Sequence, residues 1–384
     1  MSDKTMRLVM ILPTYLPETY GGAEQQSKRI SHELAAMGVK VSILAPRLKS
    51  STPIKESDTG VSIRRFRLIS LPNLGGRHFG SFILWCFHIF RWLIQHRNNY
   101  DLIFIVHGRL HAFPGAFIGR KLRKPVVIKP GRGGAEHFDL YVVKKKRLFG
   151  RFFAKKIAKC TDAWVANSRQ IVSDLGEVGI EAHKIYEVPN GINLPNGEKN
   201  TLHDGVTRFV CVGRLDPEKA IDRLIEAFSN INSDKNAELH ILGDGQCRLD
   251  LERLASKLGI EHKVVFHGMV SDVRPYLESS NFYVSASMSE GMSNALLEAM
   301  SYRLPAIVSD VSGVGDLVAD GESGWLYEPG NSEQLSKLLI MAESMSTEEQ
   351  LVVGEAAFQK IASNCSIRSV AEKNLYIFKS LLNA

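Results

Sequence analysis

Ser285–Met300 reads SASMSEGMSNALLEAM and follows the apolar run Phe282-Tyr283-Val284 directly. That run has the length and composition of a strand buried on both faces. The loop after it is rich in glycine and serine and carries Glu290; a helical pattern carries Glu298 eight residues further on. A strand that enters such a loop and then a helix is the repeating unit of a parallel α/β sheet. It also brings two acceptor-only carboxylates close to the unpaired amides of a helix N-terminus. This combination suits a ligand that carries both hydroxyls and phosphates.

The same unit recurs on both sides of this stretch. Upstream, strands are expected at 209–212, 238–242, 264–266 and 282–284, alternating with helices at 218–229, 246–258, 272–278 and 293–302; a further strand follows at 306–308. Near the start of the chain, the apolar run Leu8–Leu12 leads into a loop containing Gly21 and Gly22. A helical pattern from Ala23 to Met37 and a strand at Val39–Leu44 follow. Glycines there let the backbone approach a ligand at the helix N-terminus. Further strands are expected at 63–68, 102–106, 126–128, 164–166 and 185–188. The alternation predicts an α/β chain of two Rossmann-like, doubly wound parallel-sheet domains that face a central cleft. The polar, turn-rich segment 192–206 reads as the linker. The expected domains are 1–195 and 205–365, with a C-terminal helix in 366–384 that packs back on the first.

Composition narrows the class. The chain has 384 residues, is 44% hydrophobic and 23% charged, and has no low-complexity tract, so it reads as globular with room for two cores. Its five cysteines are scattered without a CxxC pair, which fits a reduced cytoplasmic compartment and argues against disulfide or zinc scaffolds. No signal peptide is visible at the N-terminus. Residues 1–195 hold 31 Lys/Arg against 14 Asp/Glu, a net of +17, which leaves the remainder at −10. The basic half points to an anionic partner, an anionic membrane surface or an anionic acceptor. Nucleic acid is disfavoured, since no nucleic-acid-reading motif accompanies the charge.

Two segments invite a membrane reading. Phe79–Ile94 is strongly apolar but is interrupted by His88 and Arg91, so a core helix is expected rather than a spanning one, with a helix that dips into a membrane surface as the alternative. Lys144–Lys159 interleaves Lys and Arg with Phe149, Phe152, Phe153 and Ile157. As a helix it is either a solvated face over a core stripe or a peripheral contact with anionic headgroups.

The remaining chemistry lies after the strand at 209–212. Arg214 sits at its end, and Pro217 opens a helix in which Lys219 is expected one turn along. Two cations there suit a diphosphate. Glu298 can accept from ribose hydroxyls and Glu290 from sugar hydroxyls, while the amides of Gly291, Met292, Ser293 and Asn294 can donate to sugar or phosphate. Gly243-Asp244-Gly245 follows a strand like a dinucleotide fingerprint, but the third glycine position is Arg248.

Taken in order, Gly21-Gly22, Pro189-Asn190-Gly191-Ile192, Gly213-Arg214-Leu215 with Lys219, Leu242–Gly245, Phe266-His267-Gly268, Ser287–Met300, Pro305 and Gly321–Trp325 make the chain resemble the retaining glycosyltransferases of family 4, with GT-B architecture. The resemblance covers most of the sequence. It implies that Arg214 and Lys219 bind the diphosphate of a nucleotide sugar, UDP- or GDP-linked, and that Glu298 binds its ribose. Glu290 and the following amides would hold the sugar, and the Gly21-Gly22 loop would close over the donor. Arg214, Lys219 and Glu290 would be the catalytic residues. It implies no metal and no cofactor beyond the donor, front-face displacement, and a glycan or lipid-linked saccharide as acceptor.

The chain departs from the family pattern in two places. Ala220 stands where glycine is usual. The histidine often found after the strand at 126–128 is replaced by Lys129-Pro130-Gly131-Arg132. His107, His111, Lys129 and Arg132 are therefore the candidates for acceptor or catalytic roles in the first domain. Competing readings are a GT-B epimerase or sugar-phosphate synthase, and a catalytically silent glycan-binding partner.

Overall fold

The continuous apolar runs become the central strands of two parallel sheets, because only strands covered by helices on both faces bury every side chain. The computed structural model describes residues 5–68, 79–134, 136–146, 149–195, 197, 204–231 and 236–383. Residues 196 and 198–203 of the expected linker, and 147 and 148 of the basic segment, lie outside these. The chain divides into two units, Met1–Gly191 with Ile367–Ala384, and Ile192–Ser366.

The first unit contains β1 (Arg7–Ile11), β2 (Lys40–Arg47), β3 (Lys55–Asp58), β4 (Val61–Arg67), β5 (Leu102–Val106), β6 (Val126–Lys129), β7 (Ala163–Ala166) and β8 (Ile185–Glu187). Their order in the sheet is β3-β4-β2-β1-β5-β6-β7-β8. All pairings are parallel except β3 with β4. Sequence reading did not find β3. Its residues, KESD, are polar and form an antiparallel edge, where charge discourages pairing with other chains.

Alternate residues of β1 feed two cores. Leu8 and Met10 join the helices Gly22–Ala36 and Ile367–Asn383 on one face, while Val9 and Ile11 join a second helical layer on the other. The last helix is thus part of the first unit, with Phe378 edge-on to Phe104 at 5.7 Å between ring centroids. Within the second layer, helix Phe79–Gln95 differs from the expected core helix. Trp85, Ile89 and Leu93 are buried, but Ile83, Phe87, Phe90 and Ile94 line an exposed stripe. Among the described residues no helix is long and apolar enough to cross a membrane.

The second unit contains β9 (Thr207–Val212), β10 (Ala237–Leu242), β11 (Val264–Gly268), β12 (Phe282–Ser285), β13 (Ala306–Ser309) and β14 (Gly324–Tyr327), ordered β11-β10-β9-β12-β13-β14 and parallel throughout. Ile192, which the sequence reading assigned to the linker, belongs to this unit. It is buried beside Ile361 and Cys365, and its amide donates to the Cys365 carbonyl at 2.8 Å.

In this order β9 has β10 on one side and β12 on the other, so the chain winds away from β9 in opposite directions. Loops that part at such a switch open a crevice beyond the strand ends. Here the crevice floor is tied by backbone hydrogen bonds from Gly213 N to Leu242 O (2.9 Å) and from Leu215 N to Asp244 O (3.0 Å). Gly243 makes this approach possible. Its φ is +141°, and a Cβ there would overlap the Gly213 carbonyl. Gly243→Ala is therefore expected to destabilise the chain by about 2 kcal/mol or more, read from the midpoint of urea unfolding.

Candidate active site

Lys219 and Glu290 meet at the crevice between β9 and β12. The loop after β9 does not enter its helix directly. Pro217–Lys219 forms a short 3-10 turn, Ala220 takes a left-handed conformation (φ 45°, ψ 42°), and the helix runs only from Ile221 to Phe228. Lys219 therefore precedes the helix rather than lying one turn into it. The left-handed residue is the one at which glycine is usual, so alanine accepts strain there that glycine would not. The turn aims the Lys219 side chain at the loop after β12, where Nζ forms an ion pair with Glu290 Oε1.

Several contacts hold Glu290 in place. Ser287 Oγ donates to Glu290 Oε1 at 3.0 Å, and Ser309 Oγ donates to the Ser287 carbonyl at 2.6 Å. The amide of Met288 donates to the Glu218 carbonyl at 2.8 Å, joining the two loops through their backbones. Among the described residues both side-chain hydrogen bonds to Glu290 fall on Oε1, which leaves Oε2 as an acceptor for a ligand. Ser293 caps the next helix, Asn294–Ser301, accepting from Leu296 N at 3.2 Å. Gly291 and Ser293 are buried, while Met292, Asn294 and Glu298 are half-buried.

Arg214 is not drawn into this cluster. Its side chain is 65% exposed and pairs with Asp216 at 2.5 Å. Of the two predicted cations, the fold unites Lys219 with the predicted carboxylate and leaves Arg214 at the rim on a long, adjustable side chain.

In the first unit, Gly21 caps helix Gly22–Ala36 with extended backbone and no side-chain hydrogen bond. Glu24 braces this turn by accepting from Thr14 Oγ1 and from Thr19 Oγ1. Gln26, one turn on, pairs with both backbone groups of Gly191: Nε2 donates to its carbonyl at 2.8 Å and Oε1 accepts from its amide at 2.9 Å.

The four first-domain candidates separate by burial. His111 is only 1% exposed, with Nε2 2.9 Å from the Val106 carbonyl, and burial pushes its pKa down to about 4. That corrects the expectation that it contacts a ligand; it props the end of β5. His107, at the end of β5, has a left-handed backbone (φ 65°) and is partly exposed. Its Nδ1 lies 3.8 Å from Asp139 Oδ2. Lys129 ends β6 and donates from Nζ to Asn190 Oδ1 at 2.9 Å; burial pushes its pKa down to about 8. Arg132 is half-buried in the loop after β6.

Sequence reading missed Asp139, a fully buried carboxylate. It accepts from Gly108 N (2.7 Å), Gly131 N (2.9 Å) and Arg109 Nε (2.9 Å), and so clamps the loops after β5 and β6 around His107. Burial by itself would raise its pKa, but His107, Arg109 and the Gly131 amide outweigh that and hold the pKa well below the usual carboxylate range. A single acid at the first residue of the short helix Asp139–Lys144 gives no periodic signal, so only the fold reveals it.

Two doubly wound parallel-sheet units fit the GT-B fold of glycosyltransferases. Family models match nearly end to end: Glycosyltransferase Family 4 over residues 20–195 and Glycosyl transferases group 1 over residues 196–360. The chain belongs to the group 1, family 4 glycosyltransferases. It is 28% identical to an uncharacterized glycosyltransferase of Methanocaldococcus jannaschii, with 86% of this chain and 87% of that one covered. It is 28% identical to an Escherichia coli UDP-Gal:alpha-D-GlcNAc-diphosphoundecaprenol alpha-1,3-galactosyltransferase, covering 64% of this chain and 66% of the relative. Among solved structures, Anabaena HepE with UDP and glucose shares the fold with a TM-score of 0.77 at 17% identity, covering 98% of this chain and 100% of that one.

His111 supplies a test of the burial assignment. Its folded pKa of about 4 lies below the ordinary 6.5. Between those values the unfolded chain binds the proton and the folded chain does not, so stability falls as pH falls through this window. The unfolding free energy of wild type is expected to drop more than that of His111→Gln between pH 7.5 and pH 5, by up to about 2 kcal/mol in urea titrations.

Proposed function

We propose that this enzyme is a retaining, metal-independent glycosyltransferase. It moves a hexosyl unit from a nucleoside-diphosphate sugar to a glycan or lipid-linked saccharide, in the synthesis of a cell-surface polysaccharide or glycoconjugate. The observation that carries this reading is the Lys219–Glu290 pair at the β9/β12 switch. Lys219 supplies a compact cation for the donor diphosphate, and Arg214 swings from Asp216 to add a forked contact. Glu290 Oε2 accepts from a sugar hydroxyl, and Glu298 accepts from the ribose. The relative that acts on a diphosphoundecaprenol-linked acceptor supports the lipid-linked alternative, and the neighbour that binds UDP and glucose supports the donor class.

The transfer would proceed on one face of the sugar. The bond from C1 to the diphosphate oxygen breaks while the bond from C1 to the acceptor oxygen forms. The acceptor proton passes to the departing phosphate oxygen. Lys219 and Arg214 stabilise the charge that gathers on that leaving group, a preorganised electrostatic contribution that needs no metal ion. In the first unit, His107 beside Asp139 would be the candidate for an acceptor contact.

The test begins with thermal shifts in UDP, GDP and ADP, one of which is expected to stabilise the folded chain. With the matching sugar donor, Lys219→Ala and Arg214→Ala should each lower kcat about a hundredfold. Glu298→Ala should weaken nucleotide binding about tenfold by calorimetry. Activity should persist in excess EDTA, and the product anomer, read by NMR, should match that of the donor. Full turnover in both cation variants would remove the assigned leaving-group role.

A further inference from the structure

Lys129 ends β6 as a half-buried cation with no counter-ion among the described residues. Its Nζ donates to one neutral acceptor, Asn190 Oδ1, at 2.9 Å. An ammonium carries three donors, so two remain for a ligand. Burial pushes its pKa down to about 8, and no neighbouring charge offsets the shift. Other buried ions of this unit are paired: Arg65 with Glu56 Oε2 at 2.6 Å, and Asp139 with Arg109 Nε at 2.9 Å. An uncharged amide in place of Lys129 could satisfy Asn190 with no charge to desolvate. The hydrogen bond alone therefore does not account for a lysine here.

The polar group around Lys129 is incomplete at a second atom. Asn167 follows β7 and is 7% exposed, and its Nδ2 donates to Asn190 Oδ1 at 3.2 Å. Its own Oδ1 is buried and has no hydrogen-bond donor among the described residues. The ends of β6 and β7 and the turn after β8 thus meet on one oxygen, with a cation and a carbonyl oxygen left over beside it. A ligand that carries both negative charge and a hydroxyl complements that remainder.

The adjoining loop suits a phosphate. Gly131, Gly133 and Gly134 surround Arg132, a second cation three residues from Lys129. A Cβ on Gly131 would lie 1.9 Å from His107 Nδ1, so glycine lets this loop lie against the His107 ring. The acids beside the loop are engaged. Asp139 holds Gly108, Gly131 and Arg109, and Asp174 accepts from Gly134 N at 2.7 Å and from Gln170 Nε2 at 3.0 Å. With both acids committed and two cations at one edge of the sheet, a multiply charged phosphate fits better than a single carboxylate charge.

We propose that Lys129 binds a phosphate group of the saccharide acceptor. The ligand's role as acceptor rests on the transferase reading above. The site itself lies wholly in the first unit and is tested apart from the donor.

Calorimetry with inorganic pyrophosphate, inorganic phosphate and acetate at pH 7 tests it, in the full chain carrying Lys219→Ala and Arg214→Ala so that the second unit's cations do not contribute. Pyrophosphate is expected to bind about tenfold or more tightly than acetate. Adding Lys129→Gln, which keeps an uncharged donor for Asn190 Oδ1, should weaken pyrophosphate binding about tenfold or more. Lys40→Gln, the same charge change at the start of β2, should leave it within about twofold. With Lys219 and Arg214 intact, Lys129→Gln should leave the affinity for the nucleoside diphosphate within about twofold. Unchanged circular dichroism certifies that each variant is folded. The assignment is overturned if Lys129→Gln binds pyrophosphate like its parent, if Lys40→Gln loses binding equally, or if acetate binds as tightly as pyrophosphate. It is also overturned if Lys129→Gln abolishes nucleotide binding, which would make Lys129 a donor residue. Should the wild-type chain bind no nucleoside diphosphate, the donor reading fails, and the pyrophosphate titrations still decide whether Lys129 forms a phosphate site.

Discussion

Parallel pairing of β9 between β10 and β12 is the constraint on which the second unit's site rests. A parallel strand cannot return by a tight turn, so each connection crosses over as a helix and the next loop again leaves from the same edge of the sheet. The loops after β9, β10 and β12 are thereby forced together. Their backbones meet one another's hydrogen-bonding needs: Gly213 with Leu242, Leu215 with Asp244, and Met288 with Glu218. On that tied platform one lysine and one glutamate, distant in sequence, become an ion pair. The pair is half-shielded and further bonded to Ser287, which makes it a preorganised site rather than a surface accident.

The first unit solves a related problem with a buried charge. An isolated carboxylate inside a protein is costly unless its acceptor sites are filled. Asp139 fills them with two loop amides and a guanidinium, and so fastens two loops that have no ladder between them beyond the strand ends. Gln26 performs a comparable task for the Pro189–Gly191 turn, matching an amide side chain to both backbone groups of Gly191. In each case a polar side chain replaces secondary structure where the chain must stay irregular. Such loops can carry function because their backbone groups are satisfied without being paired in a sheet.

Strands β1, β5, β9 and β12 were readable because burial on both faces demands uninterrupted apolar runs, and their sequences show them. Strand β3 was not readable, since an antiparallel edge made of Lys55-Glu56-Ser57-Asp58 lacks apolar alternation. The turn at Pro217–Lys219 was misread as the start of a helix because proline at a helix start and proline in a 3-10 turn look alike. His111 resembled His107 as a candidate, being four residues away near the same strand end. Burial separated them, and burial depends on which helix happens to cover the loop.

The sequence by itself determined the α/β class, most of the parallel strands in each half and the strong positive charge of the first 195 residues, and it singled out Lys219, Glu290 and Glu298 as candidates. These follow from local rules: period, turn chemistry and composition act over a few residues and need no knowledge of distant ones. Tertiary structure decided that Lys219 meets Glu290 while Arg214 stays with Asp216, that Asp139 is the buried clamp of the first unit, that His111 is a prop, and that Lys129 and Asn167 meet on Asn190. Those outcomes depend on distances between residues far apart in the chain. Sheet order and burial set those distances, and no window of sequence contains either.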